Sequence, residues 1–363
     1  MAKLPLYKQI QDHYREQILA GALRHRDRVP SEQEIMDEFH VSKITVKNAL
    51  TALADEGLIT RVQGKGTFVS RPSADAPAGS LSRESDVASR AAEGAIGLIV
   101  PTLKTKVIRK LIDGVEYYAK NAGYQMILHI TRESSAEETK AIQQLTESGA
   151  LGMIVFPTED EKYNESLLRL SLDKFPFVFI DRYLRNIDTY QIVSDNAAGA
   201  CDAVNMLLDK GHSQIALVSP DNTNSTIEDR TLGFEKAYID RRSSIDKTLW
   251  CHVPLDILRT DDGEPYVLAF LRAHPEVTAV LALSAETAQF TARSLQKLGR
   301  ENTELISFDD PDLPGVSYIS QNEEALAQAA VEQLREQIDG VYTPRRTVLP
   351  VELMLYGREE AKR

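Results

Sequence analysis

The sequence predicts an α+β head followed by a larger α/β body of two lobes, with a linker between them. Three observations lead there. Residues 1–70 run through helical periodicity into a short β-like end. Residues 71–94, RPSADAPAGSLSRESDVASRAAEG, are rich in Ser, Ala, Pro and charge, the composition of a tether with no core to join. Over 95–363, short apolar runs alternate with amphipathic stretches, the pattern of a parallel sheet with helices on both faces.

Taken in order, the head opens with a helix over about 5–20, with Leu6, Ile10, Tyr14 and Ile18 on one stripe and Gly21 at its end. A second helix opens at Pro30-Ser31-Glu32-Gln33-Glu34, where Ser31 and Glu34 have the spacing of a capping box. Ile35 and Phe39 then point inward, Val41 lies in the turn, and Ser42 caps a third helix, SKITVKNALTALADEG. In that helix Val46, Ala49, Leu50 and Leu53 share one buried face, which leaves Lys43, Thr45, Lys47 and Asn48 exposed near its start. A recognition helix presents these positions to major-groove base edges while nearby cations hold phosphates. After Gly57, LITRV and TFVS flank Gln63-Gly64-Lys65-Gly66, the length and glycine content of a hairpin wing with Lys65 at its tip. The whole reads as a winged helix-turn-helix, although a three-helix domain with solvated lysines has the same pattern.

The body's apolar runs are IGLIV (96–100), QMILHI (125–130), LGMIVF (151–156), PFVFI (176–180), QIALV (214–218), TAVLAL (278–283) and ELISF (304–308). Near-continuous apolarity over five or six residues predicts strands buried on both faces. Between the first two, VIRKLIDGVEYYAKNAG predicts a helix over 107–123, with Ile108, Leu111, Ile112, Val115 and Tyr118 facing inward. Gly123 and Gly149 fit the left-handed position that follows a helix. The chain after the linker is long enough for two doubly wound lobes.

Charge divides along the same boundary. The net charge is −12, but residues 1–70 hold ten Lys/Arg and nine Asp/Glu, so the head carries +1 and the remainder −13. A near-neutral head can bind phosphates if its basic residues share a face. Cys201 and Cys251 stand far apart, outside any CxxC or Cys/His spacing, and read as buried thiols with no metal between them. The start, MAKLPLYKQIQDHYREQ, has charges where an export signal needs an apolar run, and no segment has the length of a membrane span. A cytoplasmic protein with no membrane partner is expected. Signatures of catalysis or cofactor binding (G-x-S-x-G, P-loop, H-E-x-x-H, G-x-G-x-x-G) are absent, so no enzyme activity, catalytic residue, cofactor or metal is expected.

The stretch VPSEQEIMDEFHVSKITVKNALTALADEGLITRVQGKGTFV closely resembles the DNA-binding domain of GntR-type regulators, over roughly residues 4–70. The resemblance implies that Ser31, Gln33, Lys43, Thr45, Lys47, Gly64 and Lys65 meet double-stranded DNA, with Ser42 and Asn48 beside them. Gln33 stands where many relatives have an Arg, which implies a weaker phosphate or guanine contact.

IGLIVPTL, GVEYYAKNAGY, FVFIDR, VSDNAAGA, LLDKGHSQIALVS, DRTLGFEKA and ISFDD resemble the LacI-type, periplasmic-binding-protein-like (type 1) sensor over about residues 95–357. A head and body combined in this way are similar to arabinose-type repressors. In that fold a ligand sits between the lobes, on loops at the carboxyl ends of strands. The candidates on such loops are Thr102 and Lys104 after the first strand, Asp181 and Arg182 after PFVFI, Ser284 and Glu286 after TAVLAL, Asp309 and Asp310 after ELISF, and Gln321 near a crossover. Arg230 precedes Gly233-Phe234, where relatives place an Arg on ligand hydroxyls or carboxylates. Asp and Arg suit polyols through paired, charge-assisted hydrogen bonds. Asp181–Arg182 also suits a structural pair, Asp309 and Asp310 suit turn or hinge residues, and Asp195-Asn196 suits a helix cap.

Two departures qualify the resemblance. Val107 and Ile108 stand where relatives often have a Phe pair, and Ser284-Ala285 stands where they tend to have Asn-Asp. The expectation is an effector-controlled repressor, a homodimer on a pseudo-palindromic operator, with a sugar or sugar derivative as effector. An activator, or a sensor of another metabolite, would have the same architecture.

Overall fold

A computed structural model describes residues 5–20, 22–23, 27–55, 58–62, 66–69, 94–159, 164–185, 187–222, 224–260 and 262–356. In the head, α1 (Leu6–Leu19), α2 (Glu32–Phe39) and α3 (Lys43–Asp55) precede a hairpin of β1 (Ile59–Val62) and β2 (Gly66–Val69). The capping box of α2 forms: Ser31 Oγ accepts the Glu34 N–H and the Glu34 carboxylate accepts the Ser31 N–H at 2.6 Å. Val46, Ala49, Leu50 and Leu53 pack with Ile10, Tyr14 and Ile35 into one core. A bridge between Arg28 and Phe68 ties the segment before α2 to the hairpin.

The body begins with β3 (Gly94–Val100), α4 (Lys106–Asn121), β4 (Tyr124–Ile130), α5 (Ser135–Glu147), β5 (Gly152–Val155), α6 (Glu165–Leu172), β6 (Phe177–Ile180) and β7 (Tyr190–Ser194). It continues with α7 (Asn196–Asp209), β8 (Ile215–Pro220), α8 (Ser225–Asp240), β9 (Trp250–Val253), α9 (Leu255–Arg259), α10 (Gly263–Ala273), β10 (Ala279–Ala282), α11 (Ala285–Lys297), β11 (Glu304–Phe308) and β12 (Ser317–Ser320). Last come α12 (Glu323–Ile338), β13 (Arg346–Leu349) and β14 (Glu352–Met354).

Two six-stranded sheets result, in the orders β13-β7-β6-β5-β3-β4 and β14-β12-β11-β10-β8-β9. Every pairing in the body is parallel except β12 with β14. The two orders match position by position, so β6 of the first lobe corresponds to β11 of the second. The chain passes between lobes after β7, after β12 and again between β13 and β14, and α12 returns to pack on α4 in the first lobe.

The apolar runs lie in strands, and Gly123 (φ +88°) and Gly149 (φ +80°) are left-handed behind their helices. In α4, Ile108, Leu111 and Val115 are buried, and Ile112 and Tyr118 lie half-buried against the same core. The two cysteines are buried and unpaired. One strand departs from expectation. QMILHI is not buried on both faces, because β4 is the edge of its sheet and leaves Leu128 37% exposed.

Candidate functional site

Four strands end at the face where the lobes meet, and each end supplies a polar side chain to one buried cluster. Asp181 follows β6 and Asp309 follows the equivalent β11. Both take left-handed backbone, φ +64° and +67°, and each donates its N–H to the neighbouring strand, Asp181 to Ile192 O at 2.9 Å and Asp309 to Ile319 O at 3.0 Å. Asp is among the few side chains that accept this conformation, so one local design places a carboxylate from each lobe. Ser194, at the end of β7, donates to Gln321 Oε1 at 2.6 Å, and Gln321 Nε2 donates to Asp309 Oδ1 at 2.7 Å.

Arg230 reaches the cluster from α8. Its guanidinium donates to Asn196 Oδ1 at 2.9 Å, to Leu283 O at 2.6 Å and to Asp309 Oδ2 at 3.4 Å, and lies 3.6 Å above the Phe308 ring. The position depends on Gly233, one turn on, where a Cβ would fall 2.2 Å from Ala197 O. That bare surface lets α8 press against the start of α7, which carries Asn196. Arg230 is 3% exposed and Asp181 5%. Burial pushes the Asp181 carboxyl above its ordinary range, against the pull of Arg230 and Arg182, and burial lowers the Arg230 guanidinium. The cluster therefore gathers acceptors from both lobes and one planar cation between them, groups suited to pairing with hydroxyls.

Around the cluster, ion pairs cross from lobe to lobe. Lys106, at the start of α4, donates to Asp310 at 3.0 Å and also to Asp312. On the other side, Glu159 accepts from Arg259 at 3.2 Å and from Asn222 at 3.5 Å. Arg182 stays within its own lobe, donating to Glu133 Oε1 at 3.4 Å and Pro157 O at 3.1 Å beside the Phe156 ring. Burial resists ionisation of Asp310, but the Asp312 N–H and Lys106 outweigh it and hold its carboxyl below the usual range.

Of the sequence candidates, Asp181, Arg230, Asp309 and Gln321 come together, and Arg182 and Asp310 stand at the rim. Thr102 Oγ1 accepts the Lys104 N–H at 3.1 Å, and Lys104 is exposed, so hydrogen bonding turns this loop on itself. Ser284 caps α11, and Glu286 is half-buried in its first turn. Val107 and Ile108 are buried in the first lobe's core. Of Asp195-Asn196, read as a helix cap, Asp195 caps α7, accepting the Ala198 N–H at 3.0 Å, while Asn196 turns to Arg230 in the cluster. Lys106, Glu133 and Glu159 escaped the sequence reading, because each acts through a partner distant in the chain.

The head requires a correction. Thr45, expected to be exposed for DNA, is 4% exposed, and Lys47 and Asn48 are half-buried. The cause is the body: the first half of α3 faces the ends of α5 and α6. Ser42 Oγ donates to Asp173 Oδ2 at 2.6 Å, and Lys47 Nζ donates to Glu147 O at 3.0 Å. The Thr45 hydroxyl also lies 3.0 Å from Ser42 Oγ, which accepts the Thr45 N–H. Lys43 and Gln33 are exposed, and Gln33 donates to Asp37 at 3.0 Å. Ser31 remains occupied in its capping box. Gly64 and Lys65 lie outside the described residues. Among the described residues, none form a group of acidic, His and Cys side chains suited to a metal, and no helix is long and apolar enough to cross a membrane.

Comparisons with known proteins divide the chain at the same place. Residues 6–69 match the family of bacterial regulatory proteins of the gntR type. Residues 93–343 match the family of periplasmic binding proteins and the sugar binding domain of LacI-type regulators. An arabinose metabolism transcriptional repressor of Halalkalibacterium halodurans is 29% identical over 65% of the chain and 61% of its own length. The ribose import binding protein of Salmonella typhimurium is 28% identical over 69% of the chain and 83% of its own. A LacI family transcriptional regulator from Enterococcus faecium, solved with bound ribose, superposes with a TM-score of 0.61 over 72% of the chain and 97% of its own, at 23% identity, a likeness of fold. The chain spans about six tenths of the length of the curated arabinose repressors it matches.

Proposed function

The chain belongs to the family of periplasmic binding proteins and LacI-type sugar-binding domains, with a GntR-type head, and from that premise we propose that it is a sugar-controlled transcriptional repressor. The head binds duplex DNA through α3 and the wing. The body closes around a small sugar held by Asp181, Arg230, Asp309 and Gln321, with Arg182, Ser284, Thr102, Lys104, Glu286 and Asp310 in surrounding positions. Two copies act together in the cytoplasm on a pseudo-palindromic operator.

The observation that carries this reading is the pair of equivalent left-handed aspartates, one from each lobe, facing one buried arginine. Hydroxyl groups of a ring sugar are matched by carboxylates that accept and a guanidinium that donates. The names of the relatives point to a pentose, arabinose or ribose.

Thermal unfolding with L-arabinose, D-ribose and D-glucose tests the proposal. A sugar present at about 100 times its Kd should add roughly 2.7 kcal/mol. Arg230→Lys, which keeps the charge but loses the planar fork, should abolish that gain and the sugar's effect on DNA binding. A full sugar response in Arg230→Lys would remove the cluster from the site.

A further inference from the structure

We propose that the base of the first lobe is a docking surface for the recognition helix of the same chain, and that docking competes with DNA; the competition, though not the docking, rests on the reading above. Three body helices end at this base: α5 at Glu147, α6 at Leu172 and α12 at Ile338. Helix ends expose unpaired carbonyls and carry a partial negative charge. The head brings matching donors. Lys47 donates to Glu147 O, Tyr7 OH donates to Ile338 O at 3.4 Å, and Ser42 donates to Asp173, the residue that caps α6.

The geometry imitates a phosphate contact. A helix start, a hydroxyl and a lysine together form an anion site, and α3 offers all three in its first turns. On DNA a phosphate would take that place. Here the Asp173 carboxylate and the carbonyl end of α5 take it, so α3 cannot serve both partners at once. Farther along α3, the Thr51 methyl reaches Gly149, where a Cβ would lie 3.6 Å away. Gly149 is left-handed behind α5, so α3 meets the turn that ends α5.

The contact is specific but incompletely packed. A cavity of about 390 Å³ lies between the two surfaces, lined by Tyr7, Thr45 and Asn48 on one side and Ile142, Thr146 and Phe175 on the other. The pocket opens to solvent, and a contact held by polar anchors around it suits reversible docking. Residues 70–93 can span roughly 80 Å when extended, enough for the head to leave the surface without unfolding.

The full chain carrying Ser42→Cys and Asp173→Cys tests docking directly, because the native cysteines are buried. Mild oxidation should join positions 42 and 173 within one chain, read by peptide mass and by monomer mobility without reductant. In the cysteine-unaltered protein, residues 43–51 should exchange amide hydrogen more slowly than in Asp173→Ala. DNA competition is read by anisotropy of a labelled mixed-sequence duplex. Asp173→Ala should bind about tenfold more tightly than the parent, and the oxidised double-cysteine form about tenfold more weakly than the same variant reduced. A bond formed only between chains, or equal exchange of 43–51 in parent and Asp173→Ala, overturns docking in the same chain. An internal bond with no change in DNA affinity keeps docking and overturns the competition. If no form binds duplex while exchange shifts as expected, the DNA reading has failed and the docking surface stands.

Discussion

At Asp181 a ligand-binding carboxylate and a structural one can be told apart by experiment. Its backbone is left-handed and its carboxyl is buried between two arginines and a second acid. Asp181→Asn keeps a side chain tolerant of that backbone, whereas Asp181→Ala adds strain of about 1 kcal/mol or more. Because burial raises the folded carboxyl above its ordinary value of 3.8, the folded state binds the proton more tightly than the unfolded chain. Stability from this group is therefore largest at low pH and falls as pH rises from that value into the raised range. Melting temperatures of parent and Asp181→Asn should converge near about pH 4 and diverge toward about pH 7, with the Asn variant gaining. The same variant should lose its response to the sugar. Parallel melting profiles would place the cost elsewhere, and an intact sugar response would make Asp181 structural. Asp181 and Asp309 were legible in the sequence because each directly follows an apolar strand, whereas Arg230 sits within α8 and was marked only by the Gly233-Phe234 that follows it. Lys106 and Glu159 were not, since nothing local marks a side chain whose partner lies on the other lobe.

Helices and strands repeat this contrast. Strands buried on both faces, such as PFVFI and ELISF, are visible as continuous apolarity. The strands β7, β9, β12, β13 and β14 are short and interrupted by polar residues, and β13 and β14 lie at sheet edges with alternating or half-exposed faces. Their pairing comes from backbone hydrogen bonds and the lobe topology, which the side-chain pattern does not record. In the head, the buried face of α3 was legible from its spacing, but its opposite face was not, because a face covered by another unit reads like one covered by solvent. Between α7 and α8 the decisive residue is Gly233. Gly233→Ala would set a methyl 2.2 Å from Ala197 O and 2.9 Å from the Ala200 Cβ. The helices must part, at a cost of roughly 1–3 kcal/mol, and Arg230 moves from Asn196. A lower melting temperature together with weakened sugar binding, measured by titration calorimetry, is the expected result. Normal sugar affinity in a destabilised variant would show that the helix spacing does not set the arginine.

Across the molecule, the head contact and the cleft lie at opposite ends of the same two helices. α5 begins after Glu133, which holds Arg182 at the rim, and ends at Glu147, which holds Lys47. α6 begins at Asn164 and ends at Asp173, which holds Ser42. The fully buried Glu138 of α5 accepts from Asn164 Nδ2 at 2.8 Å and from the Thr158 N–H at 3.1 Å, so the helices and the rim loop are fastened together. In this structure the pairs Lys106–Asp310 and Arg259–Glu159 join the lobes while α3 is docked. If closure favours docking, a sugar that closes the lobes should strengthen docking and weaken the hold on DNA. Linkage then requires the reverse effect of equal size: docking must strengthen sugar binding by the same factor. Asp173→Ala, which touches no cleft residue, should therefore bind the pentose several-fold more weakly than the parent. Lys106→Ala with Arg259→Ala should speed exchange of residues 43–51 even though neither side chain meets the head. The lobe pairs are partly exposed and each is worth little, about 0.2–1 kcal/mol, so the shift should be modest and should shrink as salt screens them. Identical sugar affinity in Asp173→Ala and parent, measured where the parent's head is docked, would show that the two ends of α5 and α6 act independently.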